Sequence, residues 1–231
     1  MKARQIDGLI LAAARRKDPI VNDCIEEGIP LVLVNRTVDN HNVAAVINDD
    51  ELGIELALKH LIELGHRCIA YIGGPQNTST GYTRYRTFLK MLKIFSLPVD
   101  RDLIVNAKAY TEPAGQAALE HIMEYEKKFT AILTANDLLA LGCYDAMNER
   151  GLNCPMDISV TGFNDMPYVD RFNPPLTTLH IPLDELGVQA ALLLLERMQN
   201  PGALAKQVRL APRMVIREST TSPAENTPPN K

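Results

Sequence analysis

Three short apolar runs in this chain end alike, in an asparagine followed by an aspartate. They are Ala44-Ala45-Val46-Ile47 before Asn48-Asp49, Ala131-Ile132-Leu133-Thr134-Ala135 before Asn136-Asp137, and Val160-Thr161-Gly162-Phe163 before Asn164-Asp165. Continuous rather than alternating apolar character marks a strand covered on both faces. Polar residues that follow such strands directly lie where a parallel α/β sheet presents side chains to a ligand, at the carboxyl ends of its strands. One such pair is an ordinary turn; three suggest a pocket.

The segments between the runs follow helical rules. Asp18-Pro19 supplies an N-cap and a proline at the first helical position, with Val21, Cys24 and Ile25 on one face before Gly28. Leu52, Leu56, Leu61 and Leu64 recur at roughly helical spacing and stop at Gly65. Further helices are expected over 83–95, 113–125, 138–149 and 183–198, and strands over 6–12, 31–34, 68–72, 103–105 and 208–216. This alternation implies a mostly parallel, doubly wound sheet. Gly73-Gly74-Pro75 reads as a crossover into a second lobe, with a return near Leu179 and His180. The segment from 220 to 231, rich in Pro, Ser and Asn, reads as a disordered tail.

With 231 residues and 46% hydrophobic content, the chain suffices for one large or two small cores. A net charge of −4 argues against nucleic-acid binding by these residues alone. Cys24, Cys68, Cys143 and Cys154 form no C-x-x-C pair and fit buried free thiols in a reducing compartment, although spacing leaves disulfides open. The basic N-terminus and Leu9-Ile10-Leu11 read as a strand and turn rather than a signal peptide, so a cytoplasmic location is expected. No apolar stretch approaches the ~20 residues of a membrane span.

In order and spacing, several motifs resemble the effector-binding core of the lac repressor/galactose repressor (LacI/GalR) family of bacterial transcription regulators. They are Asp7-Gly8-Leu9-Ile10, Gly65-His66-Arg67 through Gly73-Gly74-Pro75, Arg84 with Phe88, Thr134-Ala135-Asn136-Asp137, Ser159-Val160-Thr161-Gly162-Phe163-Asn164-Asp165 and Pro175-Leu176-Thr177-Thr178. The resemblance spans about Ala3 to Ser219. It implies a periplasmic-binding-protein-like α/β fold, two lobes joined by three crossovers. The expected N-lobe covers 1–74 plus 180–200, and the C-lobe 75–179 plus 203–219. Against the family, the chain begins at what corresponds to the third strand of the N-lobe. The helix-turn-helix, hinge helix and two preceding strands are absent from it. The N-lobe is therefore expected to be incomplete, with an exposed sheet edge that favours self-association or completion by another segment, and no operator binding is expected from these residues.

The resemblance also nominates ligand contacts. Arg84 stands where relatives hydrogen-bond effector, and its fork suits hydroxyls or a carboxylate. Asn164 stands where relatives often carry an aspartate; it either contacts ligand or forms an Asx-turn. Asn136 matches an asparagine of sugar-responsive relatives, while Asp137 beside it contacts ligand or caps the next helix. Tyr110 either stacks on the ligand or is a half-buried tyrosine, Thr80 offers a hydroxyl, and Asp49 fits the strand-end pair of the N-lobe. Leu52 and Ile181 replace polar residues of relatives, so the N-lobe side of the pocket is expected to be poor in polar groups. No nucleophile–base set, metal cluster or phosphate loop stands out, so neither enzyme, cofactor nor metal is expected. The implied partners are a sugar or nucleoside-like effector and a second copy in a homodimer, with no membrane. A stand-alone binding protein of transport type is the alternative.

Overall fold

The structure is a computed structural model describing residues 6–39 and 42–223. Two parallel sheets form it. The first has the strand order β1 (Leu9–Leu11), β2 (Leu31–Val34), β3 (Ala44–Asn48), β9 (Gln207–Leu210). The second has the order β5 (Ile104–Asn106), β4 (Ile69–Gly73), β6 (Ala131–Thr134), β7 (Ser159–Thr161). An antiparallel pair, β8 (Thr178–His180) with β10 (Arg213–Val215), continues it through bridges from Thr161 to Thr177 and from Asn164 to His180.

Helices cover both faces of each sheet. On the first, α1 (Pro19–Glu26) buries Val21 and Cys24 against Leu31 and Leu33. The opposite face takes α6 (Leu183–Gln199) through Leu186, Ala190 and Leu193. On the second, α2 (Asp50–Glu63) and α3 (Ser79–Ile94) share one core, in which Ile54, Ala57, Leu58 and Leu61 meet Tyr71, Phe88 and Leu92. Their spacing of three, four and seven residues puts one face of α2 inward. The other face takes α4 (Glu112–Met123) and α5 (Asp137–Glu149). These two helices pack backbone to backbone because both carry glycine at the contact: a Cβ on Gly142 would stand 2.0 Å from the Glu112 carbonyl oxygen.

The chain passes between the sheets three times, at the start of α2, between β8 and α6, and between β9 and β10. These crossings correct the expected boundaries. β4 pairs with β5 and β6, so residues 50–74 belong with the second sheet and Gly73-Gly74-Pro75 turns within it. β9 pairs with β3 of the first sheet, whereas β10 pairs with β8, so the single strand expected over 208–216 is two strands in two sheets. Pro212 lies between them, where the ladder loses a donor. The residues expected to start a disordered tail are packed instead. Val160 N–H donates to the Ser219 carbonyl at 2.8 Å, and Thr221 N–H to Ser159 Oγ at 3.1 Å. Residues 224–231 of that tail lie outside the described residues.

All four cysteines are free, with Cys24 and Cys143 buried. Among the described residues no helix is long and apolar enough to cross a membrane.

Candidate functional site

The carboxyl ends of both sheets face one another, and loops from each close the gap. From the first sheet come the segments after β1 and β2. Arg16 N–H donates to the Asn77 carbonyl at 2.8 Å, its guanidinium lies 3.8 Å from the Tyr82 ring centre, and its Nε meets Asp39 at 2.8 Å. Thr37 N–H donates to Ser79 Oγ at 2.9 Å. This clasp spans the mouth between the sheets.

Behind it lies a cavity of about 180 Å³. Thr80, Arg84, Tyr110, Asn136 and Asn164 line it from the second sheet, and Asn35 and Arg36 from the first. Five of the seven residues nominated from sequence therefore meet here, carried by α3 and the loops after β5, β6 and β7.

Arg84 is 2% exposed. Its Nε donates to Asp50 Oδ1 at 2.8 Å, its Nη2 lies 2.7 Å from the same oxygen, and its Nη1 donates to the Ala135 carbonyl. The guanidinium carbon sits 3.6 Å from the centre of the Phe163 ring. That ring fits only because position 53 is glycine: a Cβ there would come within 2.6 Å of it. Burial works against both charges of the pair. It pushes the Asp50 carboxyl above its ordinary range despite the pull of Arg84. It also opposes the Arg84 cation, but the charge and hydrogen bond of Asp50, together with Tyr110 and Tyr71, outweigh this and raise the Arg84 pKa.

Thr80 Oγ1 and the Tyr110 hydroxyl share a hydrogen bond of 3.2 Å, which fixes the ring on α3. A Cβ at Gly74 would collide with that ring at 2.2 Å, so the glycine that follows β4 makes room for the aromatic. Asn136 caps α5, its Oδ1 accepting from Leu139 N–H at 3.0 Å, so it offers the cavity its amide N–H groups. Asn164 has φ 117° and Asp165 φ 55°, a region that asparagine and aspartate enter more readily than other side chains. The polar pair after β7 is thus backbone chemistry as well as site chemistry.

Two nominated residues lie elsewhere. Asp49 caps α2, accepting from Leu52 N–H at 3.0 Å. Asp137 does not cap α5, because Asn136 does; it is buried at the first turn and accepts from Thr178 Oγ1 at 2.5 Å and from Met166 N–H at 2.8 Å. Burial pushes its pKa up to about 6. Asp165 binds His180 Nδ1 at 3.0 Å and Arg217 Nη2 at 2.6 Å, tying the loop after β7 to β8 and the chain beyond β10. The first-sheet side, expected to be the poorer in polar groups, supplies two of the seven lining residues, Asn35 and Arg36, neither of them nominated from sequence. The signal was present: Leu31-Val32-Leu33-Val34 followed by Asn35-Arg36 repeats the pattern of an apolar strand with a polar ending.

A larger groove, about 530 Å³, lies on the outer side of α5 around Tyr144, Asn148 and Phe172, away from the strand ends. We place the site at the smaller cavity, because convergent polar groups and a buried cation matter more than size.

Known proteins match this arrangement. A family model described as a periplasmic binding protein-like domain matches residues 58–220. The HTH-type transcriptional repressor PurR of Histophilus somni is 33% identical over 218 residues, covering 94% of this chain. The chain spans only 65% of that relative's length. Among solved structures, the transcriptional regulator CelR in complex with cellobiose superposes with a TM-score of 0.88 at 28% identity, over 94% of this chain and 66% of that one. A LacI family transcriptional regulator from Enterococcus faecium with bound ribose gives 0.81 at 29% identity, over 94% and 80%. With a family model over residues 58–220, and likeness in sequence and in fold over 94% of its length, this chain belongs to the periplasmic-binding-protein-like domains of the LacI family of transcription regulators.

Proposed function

We propose that the cavity between the two sheets binds a small polar effector, a sugar or a nucleoside-like molecule, and that the chain is the sensing core of a transcription regulator. The observation that carries this reading is convergence: Thr80, Arg84, Tyr110, Asn136 and Asn164, far apart in sequence, line one cavity at the strand ends. The relatives support it, since one solved neighbour holds cellobiose and another ribose. On this reading the lobes are residues 9–49 with 183–210, and 50–180 with 213–221.

Arg84 is held in place by Asp50 and so presents donors in a fixed direction, while the amides and hydroxyls around it both donate and accept. That suits a polyol. Ligand held by both walls favours the closed arrangement that the Arg16 clasp also stabilises, and it shifts the population by its differential affinity for the closed state. The reading is one of binding, not catalysis, because the nearby carboxylates are committed: Asp50 to Arg84, Asp49 to the start of α2, Asp137 to Thr178 and Met166. Two copies associate through apolar surface such as the exposed Val188, Leu192 and Leu195 of α6. DNA contact falls to a helix-turn-helix outside these residues, and the place of action is the cytoplasm.

A thermal-shift screen against pentoses, hexoses, sugar phosphates, nucleosides and purines tests this. At a hundredfold excess over its Kd, a ligand that binds only the folded state adds about 2.7 kcal/mol. A hit that Asn136→Ala weakens at least tenfold supports the site. A cooperative melt with no hit, or a hit that the variant leaves untouched, refutes it.

A further inference from the structure

We infer that the effector carries an anionic group, a carboxylate or a phosphate, and that Arg36 receives it. The inference rests on the reading of this cavity as the effector site and narrows the class of ligand that fits it.

Among the described residues, two guanidiniums line the cavity and no carboxylate does. The two are not equivalent. Arg84 spends its charge on Asp50, which stands behind the wall. For Arg36, no carboxylate lies within ion-pair distance among the described residues. Its Nη1 makes a long hydrogen bond, 3.4 Å, to the Ala13 carbonyl. Its Nε is sealed from solvent and has no hydrogen-bond partner among the described residues. A buried N–H of a charged group left unmatched is costly, and such groups are paired in native proteins. The cavity is therefore lined by one guanidinium that has no carboxylate partner among the described residues.

The other lining side chains are neutral. Asn136 and Asn164 stand at strand ends where an aspartate would have cancelled this charge, so the excess comes from the whole lining rather than from one residue. The paired N–H donors of a guanidinium match the two oxygens of a carboxylate or phosphate. The amides, Thr80 and Tyr110 match hydroxyls. Together they describe a compact sugar acid or sugar phosphate, with its charged end toward Arg36 and its hydroxyls toward Asn136 and Asn164.

The test compares neutral and anionic partners of one skeleton by calorimetry: ribose with ribonate and ribose 5-phosphate, glucose with gluconate and glucose 6-phosphate. Each is titrated into the wild-type chain, Arg36→Gln, Arg36→Lys and Asn136→Ala, with melting curves to confirm that the variants fold. The expected result is an anionic compound binding at least about tenfold tighter than its neutral parent. That preference disappears in Arg36→Gln, survives in part in Arg36→Lys, and persists in Asn136→Ala while both affinities fall. Neutral and anionic partners binding alike, or a preference that survives Arg36→Gln, overturns the inference and leaves the effector site standing. If no member binds, but a neutral nucleoside or sugar from the wider screen does, the inference fails alone. If nothing binds in either set, the site reading fails with it.

Discussion

Replacing Asp137 with asparagine should change how stability depends on pH, in a direction the structure dictates. Asp137 is 1% exposed, and burial lifts its carboxyl from 3.8 to about 6, against the pull of hydrogen bonds from Thr178 and Met166. A carboxyl with a higher pKa in the folded chain holds its proton more tightly there. Its stabilising effect is therefore complete below 3.8 and is lost as pH rises through about 6. A rise of about two units corresponds to roughly 3 kcal/mol between those limits. Asparagine is neutral throughout and keeps one carbonyl acceptor, but it turns an amide toward a neighbouring donor, which costs about 1–2 kcal/mol at any pH. Urea unfolding followed by circular dichroism at pH 4, 5, 6 and 7.5 isolates the effect, because every other titrating group cancels in the difference between the two chains. The variant should be the less stable chain at pH 4 and gain about 2.5 kcal/mol on wild type by pH 7.5, or roughly 5–10 °C in Tm. A difference constant within about 0.5 kcal/mol across this range would show that Asp137 titrates alike in folded and unfolded chains, and the burial reasoning would fail.

Three further outcomes follow from single contacts. Arg84→Met strands the Asp50 carboxyl and should cost about 3–5 kcal/mol at pH 7 in denaturant unfolding, with a deficit that shrinks as pH falls, because burial already favours the protonated carboxyl. Tyr71→Phe removes a buried hydroxyl that has no partner among the described residues, so stability should be unchanged or higher by up to about 1 kcal/mol; a loss above that would reveal a hidden partner. Gly142→Ala places a methyl against the Glu112 carbonyl and should cost about 1–3 kcal/mol or more, whereas an unchanged Tm would mean that α4 and α5 are not in backbone contact.

Much of the fold was legible because each element obeys local rules. Asp18 caps α1 ahead of Pro19 as expected, whereas α2 buries Ile54, Ala57, Leu58 and Leu61, and of the expected Leu52, Leu56, Leu61 and Leu64 only Leu61 is fully buried. Sheet membership was not legible. Nothing in Ile69–Gly73 says whether that strand extends the first sheet or opens another, since buried parallel strands look alike in either setting. The split at Pro212 was hidden for the same reason: two apolar strands with one proline between them read as one. The capping of α5 turned on a single position, Asn136 against Asp137, where both residue types cap well. In the candidate site, residues after apolar strands were found except Asn35 and Arg36 after β2, and Asp50, with a plain structural duty, was not. Asp50 sits in the first turn of a helix, an ordinary place for an acid, and its partner Arg84 is 34 residues away. The packing of 217–221 along β7 was obscured by polar composition, because hydrogen bonds to Ser159 and Val160, not apolar burial alone, hold the segment there.

The most direct measurement is a crystal structure of the chain with the compound that the thermal screen returns. Density for that compound in the cavity, within hydrogen-bond reach of Arg84, Asn136 and Asn164 and with any charged end at Arg36, is the expected result. Density in the outer groove at Tyr144 and Phe172, with the cavity between the sheets empty, would contradict it.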